Sequence, residues 1–400
     1  MVTRRSGLTV LNRLSKLIGN NKKEDKSIVY NDSILSLKIT GAEVSSVPVF
    51  LIEYICGGVI KICSELFMQK QSLLFLSDRA SHRIPLYDAL KGLAIIFVVY
   101  AHCLQYLGIG EYIHHSVVCF IYSFHMPLFM TLSGYFAYPL VSSIPFGTFV
   151  WRKVVRLLIP AVCFGLLTLT IMSVTGHHVK NGWFSYMYGN LWYLKSLFLC
   201  LLISRISATI LGNEIRAALI TVVLSWFLPN LFHINFMLPF FWLGYFLRYK
   251  PSALSSRGLA LLSFILWMLL SIFWDGTHTT YLAPFGLMDY PDIRWAPHNL
   301  YSYMLRVMIG IAATWCILSF FARLYSKGVR LFTLERLGRH TLAIYALQTL
   351  WIELMVTYGI SFGYKSFLYE VIYCPAMTLL IVLVSYVIAL VWAGFKSKAV

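Results

Sequence analysis

The chain has 400 residues, of which 59% are hydrophobic and only 12% charged, and its formal net charge is +17. Soluble globular domains carry about a quarter charged residues, so this composition excludes that class and points to a polytopic membrane protein. The bases lie in short connectors between apolar runs rather than on one soluble face, which reads as membrane topology and contact with anionic lipid, with no nucleic-acid partner.

In chain order, residues 1–80 are expected to form a basic cytoplasmic extension, surface-lying or disordered. Arg4, Arg5, Arg13, Lys16, Lys22, Lys23 and Lys26 precede a moderately apolar stretch at 47–63, which Glu53 and Lys61 make a poor span. Residues 81–400 form the membrane domain. A sliding window finds about ten segments of spanning length there, centred near Val99, Phe129, Leu166, Leu199, Val223, Trp242, Trp267, Ala313, Leu347 and Leu383. Bases crowd the even-numbered connectors and the tail, among them Arg152, Arg205, Arg248, Arg323 and Lys396, which places both termini in the cytoplasm. The expected fold class is therefore an all-α polytopic membrane protein with about ten transmembrane helices, N-in and C-in. The longest outer connector, 275–302, holds Asp275, Asp289, Asp292, Arg294 and three prolines; its length suits either a substrate-facing element or a packed cap.

The eight cysteines include no CxxC pair and read as small buried hydrophobes rather than a disulfide frame or zinc site. No P-loop, dinucleotide-binding glycine pattern, HExxH or EF-hand occurs, so no metal site is expected.

Three clusters carry candidate chemistry. The first is RIPLYDALKGLAIIFVVYAHCLQY at 83–106, where His102 lies deep in an apolar run. An ionisable group inside a span is expensive and by default marks a function; the alternative is a neutral ring bonded to a neighbouring helix. Asp88 and Lys91 stand at the entry, where Asp88 also complements the helix dipole and Lys91 also pairs with it. The second is FHMPLFMTLSGY at 124–135, which puts His125 beside a break expected before Pro127. There Ser133 and Gly134 read as a packing pair rather than a nucleophile, since the G-x-S-x-G elbow is missing. The third is Arg152, Lys153 and Arg156, which either set topology or hold the phosphates of a nucleotide-bearing donor. Trp192 and Tyr193 open a span where aromatics commonly anchor at the interface.

Taken together, DALKG leading to His102, FHMPLFMTLSGY, RKVVR before a proline-started span, LWYLKSLF and LGRHTLAIYALQ resemble the integral membrane acyltransferase family 3. The nearest branch is the fucose 4-O-acetylase type of sugar O-acetyltransferase, and the resemblance covers residues 83–392. It implies transfer of an acyl group, acetyl first among candidates, from cytoplasmic acyl-CoA to a hydroxyl of a cell-surface or lipid-linked carbohydrate. Acetyl-CoA would serve as co-substrate, with no tightly bound cofactor. The partners implied are acyl-CoA, a carbohydrate or glycolipid acceptor and membrane lipid, in the bacterial inner membrane.

The family's basic residue, ten intervening residues and histidine correspond to Lys91 and His102, with Asp88 alongside. Its basic pair after the second span corresponds to Lys153 and Arg156, next to Arg152, and its histidine-x-proline to His125 and Pro127. Trp192 and Ser133 are support positions. Where the family often has a histidine after an IY dipeptide, this chain has Gln348, which hydrogen-bonds but does not titrate. His102 would act as general base or as transient acyl carrier. The alternative function is a transporter or flippase for a glycan or glycolipid, which the lack of matched broken helices in the two halves weakens.

Overall fold

The computed structural model describes residues 84–109, 116–140, 144–176, 182–227, 231–275, 278, 296–360, 362–363 and 368–398. The chain divides into two units, Met1–Pro48 and Val49–Val400; the first, and the boundary expected near residue 80, lie outside the described residues. So do Asp289, Asp292 and Arg294 of the long outer connector.

The helices, in order, are α1 (Pro85–Tyr106), α2 (Ser116–Tyr122), α3 (His125–Tyr135), α4 (Phe146–Lys153), α5 (Ile159–Val174), α6 (Gly182–Gly189), α7 (Trp192–Leu211), α8 (Glu214–Ser225), α9 (Ile234–Leu247), α10 (Arg257–Ser271), α11 (Ala296–Ser326), α12 (Phe332–Gly338), α13 (Thr341–Thr357) and α14 (Cys374–Lys398). Strand structure among the described residues is confined to a two-residue parallel pairing of Gly108–Ile109 with Phe362–Gly363.

All ten expected centres fall on helices, but spanning length is narrower than expected. Among the described residues six helical stretches are long and apolar enough to cross a membrane: Pro85–Tyr106, Ser116–Tyr135 (α2 and α3 together), Phe146–Val174, Trp192–Leu211, Leu300–Ser326 and Tyr369–Gly394. The others, α8, α9, α10 and α13, have 12, 14, 15 and 17 residues. At about 1.5 Å per residue, α8 covers about 18 Å of a hydrocarbon core some 30 Å thick. Local polar chemistry sets these limits. Gly212 ends α7 in the left-handed region, and the Asn213 and Ser256 side chains accept from the Arg216 and Leu259 amides to cap α8 and α10. Ile210, Leu219, Val223, Leu261, Ile272 and Leu383 are each more than half exposed, an apolar exterior suited to lipid rather than water. The protein is a helical membrane protein.

α1 is the hub. Pro85 starts it where a missing amide hydrogen costs nothing, Asp88 complements its dipole, and it contacts α3, α11, α12, α13 and α14. Two reciprocal glycine crossings set the spacing around it. A Cβ on Gly92 would sit 2.1 Å from the Leu334 carbonyl oxygen, and one on Gly338 1.8 Å from that of Asp88, so α1 and α12 touch backbone to backbone. Gly134 and Gly244 do the same for α3 and α9, at 1.9 Å from the Phe241 oxygen and 1.8 Å from the Thr131 oxygen. Small residues are how helices approach closely in a bilayer, where water supplies no hydrophobic drive. The expected packing role of Ser133-Gly134 is met by Gly134.

Buried Glu335 fixes α12 to the end of α11. It accepts from Arg330 Nε and Nη2 at 2.7 and 2.6 Å and from the Tyr325 hydroxyl at 2.8 Å. The Arg330 guanidinium holds the Glu335 carboxyl below its ordinary range. Cys103, Cys119, Cys200, Cys316 and Cys374 remain thiols, whereas Cys163 is disulfide-bonded. That departs from the reading of the cysteines as small buried hydrophobes rather than a disulfide frame, which rested on their apolar surroundings and the lack of a CxxC pair.

Candidate active site

Lys91 and His102 lie eleven positions apart on α1, very nearly three turns, so the spacing puts both on one face about 16 Å apart. Val98 lies between them on that face, and two cavities run along the stripe. The one beside Lys91 measures ≈ 210 Å³ and is bounded by Met126, Phe129, Ser133, Leu157, Tyr193, Thr341 and Tyr345. The other, ≈ 30 Å³ and so room for about two waters, is lined by His102, His125, Tyr122, Trp192, Phe236, Trp274 and Arg306. Val98, Met126 and Tyr345 wall both, so a single layer of side chains separates the helix entry from the histidines.

His102 keeps part of its surface open, and it is this cavity that it lines. Fully buried Gln348, one turn past Tyr345 on α13, faces the imidazole without completing a well-formed hydrogen bond to it.

His125 is more firmly held. The helical run breaks at Ser123 and Phe124, and α3 starts at His125, with Pro127 in its first turn where amide hydrogens have no helical partner. The break lies just before His125, a step earlier than expected. There the Ile121 carbonyl accepts from the Phe124 amide at 3.2 Å and from His125 Nδ1 at 2.8 Å. A carbonyl oxygen only accepts, so Nδ1 carries the hydrogen in this bond. The Tyr122 ring packs edge-on at 5.0 Å, and Tyr122 donates to Gln105 Oε1 at 3.1 Å.

The remaining expected site residues divide. Lys91 borders the larger cavity, 4.0 Å from Asp88 Oδ1 and 4.2 Å above the Phe136 ring; Asp88 lines neither cavity. Ser133 Oγ and the Tyr193 hydroxyl are 2.8 Å apart on the wall of the larger cavity. Trp192 lines the histidine cavity and meets the His233 ring edge-on at 4.8 Å. Arg152, Lys153 and Arg156 line neither cavity. They sit where α4 passes through a π-turn, Val154–Leu158, into α5, and only Leu157 of that turn reaches the larger cavity. Such turns absorb a proline like Pro160 and recur at functional sites.

Sequence reasoning missed Arg306. It is 2% exposed, shares the cavity with both histidines, and lies 5.2 Å from the Phe236 ring and 6.0 Å from that of Trp274. It is well inside α11, and the rule that singled out His102, an ionisable group within an apolar span, would have found it. Among the described residues no acid borders either cavity, so their linings are neutral or positive, which suits an anionic ligand. Among the described residues no three His, Cys, Asp or Glu side chains are grouped to hold a metal ion.

The sequence profile of the acyltransferase domain family (acyltransferase 3) matches residues 84–390. The chain is similar to Nodulation protein NolL of Sinorhizobium fredii, 27% identical over 293 residues, covering 68% of this chain and 79% of the relative. It is also similar to Nodulation protein NolL of Mesorhizobium japonicum, 26% identical over 280 residues, covering 66% and 74% respectively. No solved structure matches significantly.

Proposed function

The chain belongs to the acyltransferase 3 family, and from that premise we propose that it moves an acyl group, acetyl in the simplest case, from cytoplasmic acyl-CoA to a carbohydrate hydroxyl. The acceptor is a cell-surface or lipid-linked glycan, and the protein lies in a bacterial inner membrane. The observation that carries the reading is the run of two adjoining cavities from Lys91 to a chamber walled by two imidazoles. A donor arriving at a basic rim can thus present its thioester within the bilayer.

Chemistry dictates the roles. An alcohol is a poor nucleophile, and a neutral imidazole taking its proton is typically worth about 10² to 10⁴ in rate. His102 is that base; a ping-pong cycle through acyl-His102 is the alternative. Lys153 and Arg156, with Arg152, hold CoA phosphates at the rim, and Asp88 orients Lys91. Ten membrane crossings with both termini inside complete the picture: α8, α9, α10 and α13 cross by tilting, thinning the bilayer or extending beyond their regular turns. Family membership supports this reading over the transporter alternative, which needs no covalent chemistry.

The test is purified protein in lipid nanodiscs with acetyl-labelled CoA. Label transferred to glycan or glycolipid supports the reading, and glycan movement without label overturns it.

A further inference from the structure

A guanidinium buried among apolar helices is costly to keep, so its surroundings should explain it. Arg306 is held from several sides. One turn along α11, a Cβ on Gly310 would sit 2.6 Å from the Phe240 ring and 3.0 Å from Pro127, so α11 presses against α9 and the first turn of α3. Trp274 backs the guanidinium and is itself pinned by donating from its indole nitrogen to the Cys119 carbonyl at 2.7 Å. Among the described residues lining the histidine cavity, Arg306 carries the permanent charge.

We propose that Arg306 stabilises the carbonyl oxygen of the acyl donor as it becomes an oxyanion. This rests on the acyl-transfer reading above. As the acceptor hydroxyl attacks, its proton passes to His102 and the new C–O bond forms. The carbonyl electron pair shifts onto oxygen, where Arg306 meets it. Collapse re-forms the C=O bond and breaks the C–S bond, and the imidazolium proton goes to the departing CoA sulfur. Atoms and charge balance with no further reactant. The site is matched to charge that exists only in the transition state, so Arg306 should act on turnover rather than on donor affinity.

The experiment uses full-length wild type, Arg306→Gln and Arg306→Lys in nanodiscs, with acetyl-CoA and a panel of p-nitrophenyl glycosides headed by the α-fucoside. CoA thiol release and glycoside acetylation are followed, and rates are normalised to folded protein by size exclusion and thermal melting. Arg306→Gln is expected to lower kcat about 10² to 10³-fold with KM for acetyl-CoA within about threefold, and Arg306→Lys to recover about tenfold of that loss. If the glutamine variant does not fold, the lysine variant decides alone: reduced kcat at unchanged KM supports the proposal, full kcat overturns it. Wild-type kcat in a folded Arg306→Gln, equal rates for the two variants, or a rise confined to KM overturns the Arg306 role while leaving acyl transfer intact. A wild-type protein that releases no CoA thiol overturns the acyl-transfer reading and this proposal with it.

Discussion

Replacing Gly134 with alanine adds one methyl group where α3 and α9 have no room for it. The new Cβ would lie 1.9 Å from the Phe241 carbonyl oxygen, whereas ordinary contact starts at 3.4 Å. The obstacle is backbone, not a flexible side-chain end, so the helices must part by about 1.5 Å at the crossing, an overpacking cost of about 3 kcal/mol. That corresponds to a fall in melting temperature of about 5–10 °C. The same displacement moves His125 on α3 against Phe236 and Met237 on α9, all three of which line the histidine cavity. Misplacement by about 1 Å costs about 10²-fold in rate where reacting groups must be aligned. Melting followed by tryptophan fluorescence in detergent, with acetyl transfer assayed in parallel, measures both. Gly147→Ala is the control, since nothing lies within 4 Å of the Cβ it would add. A Gly134→Ala protein that melts and turns over like Gly147→Ala would refute the claim that this crossing sets the cavity.

Other substitutions separate roles that the geometry assigns to different residues. Ser133→Ala removes a hydrogen bond to Tyr193 and should cost about 1 kcal/mol while leaving acetyl transfer within about threefold; loss of all activity in a folded variant would mark Ser133 as a reacting group. Lys153→Ala and Arg156→Ala should each raise KM for acetyl-CoA roughly tenfold with kcat kept, an effect that shrinks with added salt. Glu335 has its carboxyl pKa lowered by Arg330, so its contribution to stability is full above the ordinary carboxylate range and is lost as pH falls through the depressed value. Melting temperatures taken from pH 7 down to about 3 should therefore converge for wild type and Glu335→Gln, with the variant several degrees lower at neutral pH.

Much of this was legible in the sequence because the bilayer writes a strong signal. Each apolar segment centre lies on a helix, and the eleven-position spacing of Lys91 and His102 already implies one face. Helix length was less legible, because hydropathy averages across the points where Gly212, Asn213 and Ser256 end or cap helices. The cavity partners were the hardest to read. Trp192 looked like an interfacial ring and Arg306 was not singled out, since each reaches the cavity beside helices far away in sequence, whereas His125 was already marked by FHMPLF. The basic cluster at Arg152, Lys153 and Arg156 keeps both of its readings: it borders neither cavity, yet its π-turn contributes Leu157 to the larger one.

The most direct test of the central claim is single-turnover transfer of label from acetyl-CoA to a carbohydrate acceptor by wild type and by His102→Ala, with folding verified for both. The account predicts that wild type labels the acceptor and that His102→Ala does so at least about 10²-fold more slowly. Wild-type transfer by a folded His102→Ala would contradict it.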